Sequence, residues 1–541
     1  MDSETMNPIP REVHVEWACE ICHLRVAYRI FYRAFMKTPN MKGCFLLQRQ
    51  FAHIGHYLAC LLKESYGLQE FCGYVYLRES YDFLKSQKDI NYTTLLLDED
   101  IHKRYENEKL DPDYLTLLEK EYGIPTLWPF LTVDRVLMST QLVREYPYDT
   151  SRYTHEQMLR ILQVHARAII DMLDSERPDF LFCSVLGGVG GLLLYHIAKK
   201  RGIKIFVVLS TCVPNRWVLS DTYDTFSYVD RLFLHDATRI RNDRYWDKAG
   251  RFIQQFRREP TPFLPTDTPN IRPVTRKKQL RFLIPKNAAH IIISFLKNVR
   301  RHYERIDRFD YDNIGPWNYL KDATNRKIRN VLGNEDLYDP FDPSEPFAFF
   351  PLHYEPEVAL LLQAPYFTDQ IHLIKQIARS LPVQYKLVVK EHPIMAEYRP
   401  RSYYKKMKKI HNVKLVSPAL SSFDIIPAAK LVTTITGSVG YEAALFRKPV
   451  ISFGHWFYNT LNSVVRCSAI ESLPYLIKDR LENFHPNDDE LQIYIAALLE
   501  DAVELDLQHL WIYETDPKKK KEGLKPLATL LAKKLGLDGT G

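Results

Sequence analysis

Tyr385-Lys386-Leu387-Val388-Val389-Lys390-Glu391-His392-Pro393, Leu431-Val432-Thr433-Thr434-Ile435-Thr436-Gly437-Ser438-Val439-Gly440-Tyr441-Glu442 and Lys448-Pro449-Val450-Ile451-Ser452-Phe453-Gly454-His455 lie within one stretch, 385–458. Each is a short apolar run that ends in a polar or glycine-rich loop. Runs of this length and composition read as strands buried on both faces of a parallel sheet. An open parallel sheet offers ligands the loops at the carboxyl ends of its strands. These loops carry a cation, a histidine, small hydroxyl residues and a glutamate. That set suits the phosphate and ribose of a nucleotide.

The loops divide this chemistry among themselves. Pro393 stops the first strand, so His392 sits at the sheet edge. An imidazole there hydrogen-bonds a phosphate oxygen, or protonates it if its pKa is raised. Lys390 and Glu391 alternate on a strand and point to opposite faces. In the second segment a strand enters a glycine loop that opens a helix, whose first backbone N–H groups attract anions. Gly437 and Gly440 allow close approach of a phosphate, and Thr436 and Ser438 add hydroxyls. Glu442, in the first helical turn, is placed to accept ribose hydroxyls. Ser438 as a simple helix cap is compatible with that role. A further loop, Pro351-Leu352-His353-Tyr354-Glu355-Pro356-Glu357, follows the first strand of the second half. It makes His353 and Glu357 the catalytic candidates at the cleft floor.

Working outward, the first half alternates strands at 44–48, 74–77, 93–97, 179–183, 203–209 and 231–234 with helices at 51–66, 153–173 and 191–200. The second half places strands at 347–351, 385–389, 413–416, 431–435 and 450–453, with helices at 368–380, 421–429, 439–446, 488–499 and 525–535. Strands separated by helices predict two α/β units with parallel sheets. Five prolines between Pro260 and Pro273 mark a linker, and 277–336 reads as basic and helical. The division is 1–258, 259–345, 346–480, and 481–541 with a basic tail.

The 541 residues suffice for two or three domains, and 46% hydrophobic with 26% charged residues is ordinary for a globular chain. The net charge of +7 concentrates at Lys518 to Lys521 and between Arg276 and Arg301, as solvated helix faces or as attraction to an anionic membrane surface. No nucleic-acid motif accompanies it. Eight scattered cysteines read as reduced thiols of a cytoplasmic protein. Cys19-Glu20-Ile21-Cys22-His23 has the spacing of haem attachment, but Met1 to Pro10 lacks an export signal, so a plain helix over 17–32 is expected. The uncharged run 180–195 is short of a membrane span and holds four glycines. The turn Gly187–Gly191 lacks the full dinucleotide fingerprint, so no cofactor is expected, and it is read as facing the cleft and an acceptor. His53 and His56 lie one turn apart, but no third ligand has metal-like spacing, so no metal site is assigned. Asp98, Glu99 and Asp100 read as a solvated turn, with a base or nucleophile as the sharper alternative.

Phe349-Phe350-Pro351-Leu352-His353-Tyr354-Glu355-Pro356-Glu357, Lys390-Glu391-His392-Pro393, Thr436-Gly437-Ser438-Val439-Gly440-Tyr441-Glu442 and Lys448-Pro449-Val450-Ile451 together resemble the capsule polysaccharide biosynthesis family. That family includes Kdo transferases. The resemblance covers about 346–480. The histidine–proline pair is also similar to one in bacterial sialyltransferases that contacts the phosphate of a CMP-sugar. The resemblance implies a GT-B fold: two Rossmann-like domains facing across a cleft, with extra helical segments. The second domain would hold the nucleotide and the first the acceptor, with no metal needed. It implies that His392, Thr436 and Ser438 hold phosphate and Glu442 the ribose, with Lys390, Gly437 and Gly440 beside them. The implied activity is a glycosyltransferase of bacterial surface polysaccharide synthesis. Its donor would be a CMP- or UDP-linked sugar, Kdo-like among the options, and its acceptor lipid-linked or an oligosaccharide. The site of action would be the cytoplasm or the inner face of the plasma membrane. The alternatives are a GT-B sugar-nucleotide epimerase and a non-catalytic capsule assembly protein.

Overall fold

The computed structural model describes residues 41–139, 151, 153–262, 280–304 and 315–537. Its first sheet grows from apolar runs too short and too β-branched or aromatic for helices. They form β1 (Lys42–Leu47), β2 (Glu70–Val75), β3 (Asn91–Leu97), β4 (Phe180–Cys183), β5 (Lys204–Ser210) and β6 (Arg216–Ser220). A second sheet holds β7 (Phe347–Pro351), β8 (Lys386–Lys390), β9 (Val413–Val416), β10 (Leu431–Thr434), β11 (Val450–Ser452) and β12 (Val464–Arg466). A last strand, β13 (Val503–Glu504), joins the edge of the first sheet.

The spatial orders are β13-β6-β5-β4-β1-β2-β3 and β12-β11-β10-β7-β8-β9. The second sheet is parallel throughout. Counted along the chain its order is third, second, first, fourth, fifth, sixth, the doubly wound order of nucleotide-binding domains. The first sheet repeats that order over β1 to β5 and then adds β6 and β13 antiparallel. This is the GT-B arrangement of two Rossmann-like units. In such sheets the ligand crevice opens where the strand order reverses. That point falls between β7 and β10 in the second sheet and between β1 and β4 in the first.

Buried side chains cover both faces of each sheet. Leu46, Tyr74, Leu181 and Val207 pack under helices His155–Glu176 and Val189–Lys200. Phe45, Phe71, Phe180 and Phe206 pack under helix Phe51–Tyr66. Thr154 and Gln157 close a reciprocal capping box at the start of His155–Glu176, and Arg177 in the left-handed region ends it.

The run 231–234, read from sequence as a strand, is instead part of helix Ser227–His235. Val229 is buried there, Leu232 packs beside it and Phe233 meets Tyr494 at 5.4 Å, so these residues serve one helix face while Leu234 is exposed. The last segment threads back across the molecule. Helix Asp488–Asp501 packs on Ser227–His235 and Trp246–Arg258, β13 pairs with β6, and helix Lys525–Leu535 packs on Phe51–Tyr66. The basic tail is therefore partly structural: Lys520 is buried, Lys521 pairs with Glu64 at 2.6 Å and Lys534 with Asp501 at 2.6 Å. The basic insertion forms helices Pro285–Glu304 and Pro316–Leu332. The 17–32 helix, the Cys19–His23 motif and most of the proline linker lie outside the described residues. Among the described residues, no helix is long and apolar enough to cross a membrane.

Candidate functional site

Three loops, after β7, β8 and β10, meet at the carboxyl ends of the second sheet, and His353 joins two of them. It follows β7 and is buried beneath the loop after β10. Thr436 N–H donates to His353 Nε2 (3.2 Å), and Thr434 Oγ1 lies 3.3 Å from the same nitrogen. Nε2 is thus an acceptor, which places the ring proton on Nδ1. Gly437 N–H donates in turn to Thr434 Oγ1 (3.2 Å). Burial first, then the charges near His392 and Arg399, hold the His353 pKa down at about 3. The ring is neutral at physiological pH and shapes the glycine loop.

Lys390, His392, Ser438 and Glu442 gather beside it. Lys390, at the end of β8, is 7% exposed, and Glu442 is equally buried. Ser438 hydroxyl donates to Glu442 Oε1 (3.1 Å). Burial pushes the Glu442 carboxyl up to about 7, opposed by Ser438 and by the Lys390 charge. Burial likewise lowers the Lys390 ammonium, opposed by Glu391 and Glu442. His392 is half-buried. Burial, Lys390 and Arg399 lower its pKa to about 4, which removes the option of a resting imidazolium that protonates phosphate. Ile394 N–H donates to His392 Nδ1 (3.3 Å), so the ring proton sits on Nε2. A neutral imidazole of this tautomer is a hydrogen-bond donor, suited to a phosphate oxygen.

A buried ion network underlies this cluster and had no signal in the sequence. Glu391 turns to the opposite face from Lys390 and is fully buried. Arg399, also fully buried, donates to Glu391 Oε1 (2.5 Å) and to His353 O (2.7 Å), and pairs with Glu355 at 3.1 Å. Glu391 Oε1 also accepts His392 N–H at 2.6 Å. Gln370, from helix Gln370–Ser380, receives His353 N–H on its side-chain oxygen (2.7 Å) and donates to Glu355. Arg399 therefore ties the loop after β7 to the loop after β8.

The remaining assignments change in detail. Thr436 Oγ1 donates to Ala359 O (3.2 Å) and is 4% exposed, so its hydroxyl already serves the fold. Gly437 makes room for His353 rather than for a phosphate: a Cβ there would lie 3.1 Å from Nε2. Gly440 makes room for Tyr458, whose ring carbon would be 2.8 Å away and whose hydroxyl donates to Gly437 O (3.0 Å). Ser438 makes no side-chain cap. Glu357 is not brought to the cluster. It is exposed at the start of helix Val358–Gln363 and faces Arg135 of the first half.

The first half supplies the opposing wall. A pocket lined by Gln48, Arg49, Tyr76, Asp134, Arg135 and Gly188 opens at its switch point and reaches Val358. Arg135 Nη1 donates to Pro356 O (3.3 Å), and a Cβ on Gly187 would lie 2.9 Å from Val358. The glycine turn thus meets the second half directly. Asp134, buried, accepts from Val136 N–H (3.0 Å), Leu137 N–H (3.2 Å) and Val189 N–H (3.2 Å), so it caps two helices at this wall. Burial, then the Arg49 guanidinium, lower the Arg135 pKa. Asp98 is not in a solvated turn. It is buried, accepts the Tyr74 hydroxyl (2.5 Å), and burial pushes it up to about 8.

Residues 318–461 match the family model described as capsule polysaccharide biosynthesis protein. Protein FixF of Sinorhizobium fredii is 29% identical over 165 residues, 30% of this chain and 39% of that protein's own length. Among solved structures, the β-Kdo 2,7 transferase KpsC of Thermosulfurimonas dismutans is 14% identical. That match covers 67% of this chain and 89% of that one, with a TM-score of 0.33. A UDP-GlcNAc 2-epimerase of Methanocaldococcus jannaschii is 13% identical, covering 85% and 99%, with a TM-score of 0.22.

Proposed function

We propose that this chain, similar over residues 318–461 to the capsule polysaccharide biosynthesis family, transfers a sugar from a nucleotide-activated donor to a surface-polysaccharide acceptor. The observation that carries the reading is the meeting of Lys390, His392, Ser438 and Glu442 at the switch point of the second sheet. Their chemistry is complementary to a nucleotide. His392 Nε2–H donates to the phosphate, Lys390 balances its charge, Glu442 accepts from the ribose, and the Ser438 hydroxyl, displaced from Glu442 Oε1 by the ribose, turns to the phosphate. Departure of the nucleotide phosphate is eased by donors and a cation already fixed in a site of low polarity. The donor is a CMP- or UDP-linked sugar, Kdo-like among the options. The acceptor, lipid-linked or an oligosaccharide, lies against the wall of Arg49, Arg135 and the Gly187 turn.

Helices Pro285–Glu304 and Pro316–Leu332 support a place at an anionic membrane surface. Ile291, Ile292, Ile293, Leu296 and Trp317 are all exposed there, beside Lys286, Lys297 and Arg300. Apolar residues flanked by cations suit an interfacial helix.

The test is thermal-shift titration of the purified chain with CMP, UDP and GDP, followed by mass spectrometry of products from a panel of sugar nucleotides with a lipid-linked acceptor extract. Stabilisation by one nucleotide that His392→Ala abolishes, together with a glycosylated product, is expected. Stabilisation by none of them, or stabilisation untouched in His392→Ala, refutes the site. Isomerisation of the donor without acceptor would assign an epimerase instead.

A further inference from the structure

Helix Phe51–Tyr66 lies on the outer face of the first sheet, and His56 and Cys60 share one of its faces, four residues apart. Asp89 reaches them from the connection between helix Arg78–Ser86 and β3. His56 Nε2 lies 3.6 Å from Cys60 Sγ, Cys60 Sγ lies 3.3 Å from Asp89 Oδ2, and His56 Nε2 lies 3.5 Å from Asp89 Oδ1. Bond lengths to zinc of about 2.0–2.3 Å, at tetrahedral angles, separate neighbouring ligand atoms by about 3.5 Å. Each spacing has the length of a tetrahedral edge, with one carboxylate oxygen of Asp89 facing Cys60 and the other facing His56, and one ligand atom from each residue lies within 4.8 Å of the other two.

The surroundings agree with that geometry. His56 Nδ1 is 3.1 Å from the Tyr92 hydroxyl. With the ring proton on Nδ1, the Nε2 lone pair points at Cys60 and Asp89, which is how second-layer partners orient metal-binding histidines. His56 and Cys60 are 1% and 3% exposed, whereas the Asp89 side chain is 58% exposed. The buried side is therefore protein and the fourth position faces water. His53 is not part of the set, because its ring packs on Phe83 at 3.8 Å. Two lysines are near and both are engaged: Lys63 donates to Asp89 O (2.6 Å), and Lys521 pairs with Glu64 (2.6 Å). The sequence offered only the two histidines; the fold replaces His53 with Cys60 and Asp89.

We infer that His56, Cys60 and Asp89 form a binding site for a Zn²⁺-like divalent cation, remote from the cleft, with water as the fourth ligand. The mixed nitrogen, sulfur and oxygen set favours zinc over magnesium or calcium. On binding, the Cys60 thiol loses its proton to solvent and the thiolate sulfur bonds the metal. The bound ion would pin the connection before β3 to helix Phe51–Tyr66. This inference is independent of the sugar-transfer reading.

The test is titration of the chelator-treated full chain with Co²⁺, followed by displacement with Zn²⁺. A near-ultraviolet thiolate-to-cobalt band that saturates at one equivalent is expected. It should vanish in Cys60→Ser, and Tyr92→Phe should weaken binding about 10–100-fold. Asp89→Asn, at an exposed side chain, keeps the test valid if Cys60→Ser fails to fold, and it too should weaken binding. No band in the parent chain overturns the inference. So does a band that survives Cys60→Ser, which then comes from other thiols, or unchanged affinity in Asp89→Asn.

Discussion

Glu442→Gln separates the role of the carboxylate from that of its shape. Burial holds the Glu442 carboxyl at about 7, against an ordinary value of 4.5. Its ionised fraction is then roughly one tenth near pH 6 and nine tenths near pH 8. If the carboxylate accepts from ribose hydroxyls, nucleotide affinity rises about tenfold across that range. A hydrogen bond to a charged acceptor contributes about 1.5–3 kcal/mol, so above pH 8 Glu442→Gln loses about 10–150-fold in Kd. Stability runs the opposite way. The folded pKa is raised, so the stability contributed by the protonated group is fully present below about 4.5 and is lost as pH climbs through about 7. The loss is about 3 kcal/mol, and the glutamine variant does not suffer it. The assay is calorimetric titration of CMP and UDP into both proteins from about pH 6 to 8, with unfolding followed in parallel. Titration of the phosphate itself is common to both proteins and cancels in their ratio. A ratio of affinities that does not change with pH would refute the assignment of Glu442 to the ribose.

The other predictions concern the frame around the site. Arg399→Met keeps the volume but leaves Glu391 charged and buried with His392 N–H as its remaining donor; a loss of about 3–5 kcal/mol is expected from chemical denaturation, eased by adding Glu391→Gln, and a loss under about 1 kcal/mol contradicts it. Gly440→Ala sets a methyl 2.8 Å from a Tyr458 ring held by its bond to Gly437 O; a cost of about 1–3 kcal/mol and weakened nucleotide binding are expected, and an unshifted melting temperature contradicts it. Asp98 is raised to about 8, so its stabilising protonated state is complete at low pH and lost as pH rises through 8. Asp98→Asn should flatten the decline in stability between about pH 4 and pH 8, which approaches about 1.4 kcal/mol per pH unit and levels off above 8; an unchanged slope contradicts it.

Five strands of the second sheet were legible because they stop abruptly, whereas the three-residue β12 was not read from the sequence. Pro393, Gly437 and Gly454 end their runs, and the structure places β8, β10 and β11 within a residue or two of the sequence reading. The loops that follow were legible for the same reason. What failed was whatever depends on distant partners. The run 231–234 has no period long enough to separate a strand from a helix, and its packing against Tyr494 decided the matter. β13 is two residues long and exists because β6 is beside it. Arg399 reads as one more surface cation, yet it is fully buried because Glu391, Glu355 and His353 O surround it. Local pattern locates strand ends; it does not reveal which polar side chains turn inward to hold two loops together.

That distinction bears on the proposed site, where some residues hold the loops and others are left to bind a ligand. His353, Thr436, Gly437 and Gly440 share the sequence signature of Lys390, His392, Ser438 and Glu442, but their polar atoms or their missing side chains are already used by the fold. The second set faces an electrostatic balance that favours an anionic ligand. Its histidine is neutral, its ammonium is lowered by burial and its carboxyl is raised. Each of these shifts marks a charged form that burial disfavours. A phosphate near Lys390 and His392 supplies the missing opposite charge and restores the ammonium. Ribose hydroxyls at Glu442 supply the donors that an ionised carboxylate needs. One ligand carrying both groups, separated by the few ångströms of a nucleotide, relieves both shifts at once. A free phosphate or a free sugar relieves one of them. The proposed preference for a nucleotide rests on where burial disfavours charge in this cluster, with the Arg399 network keeping the two loops close enough for both effects to act together.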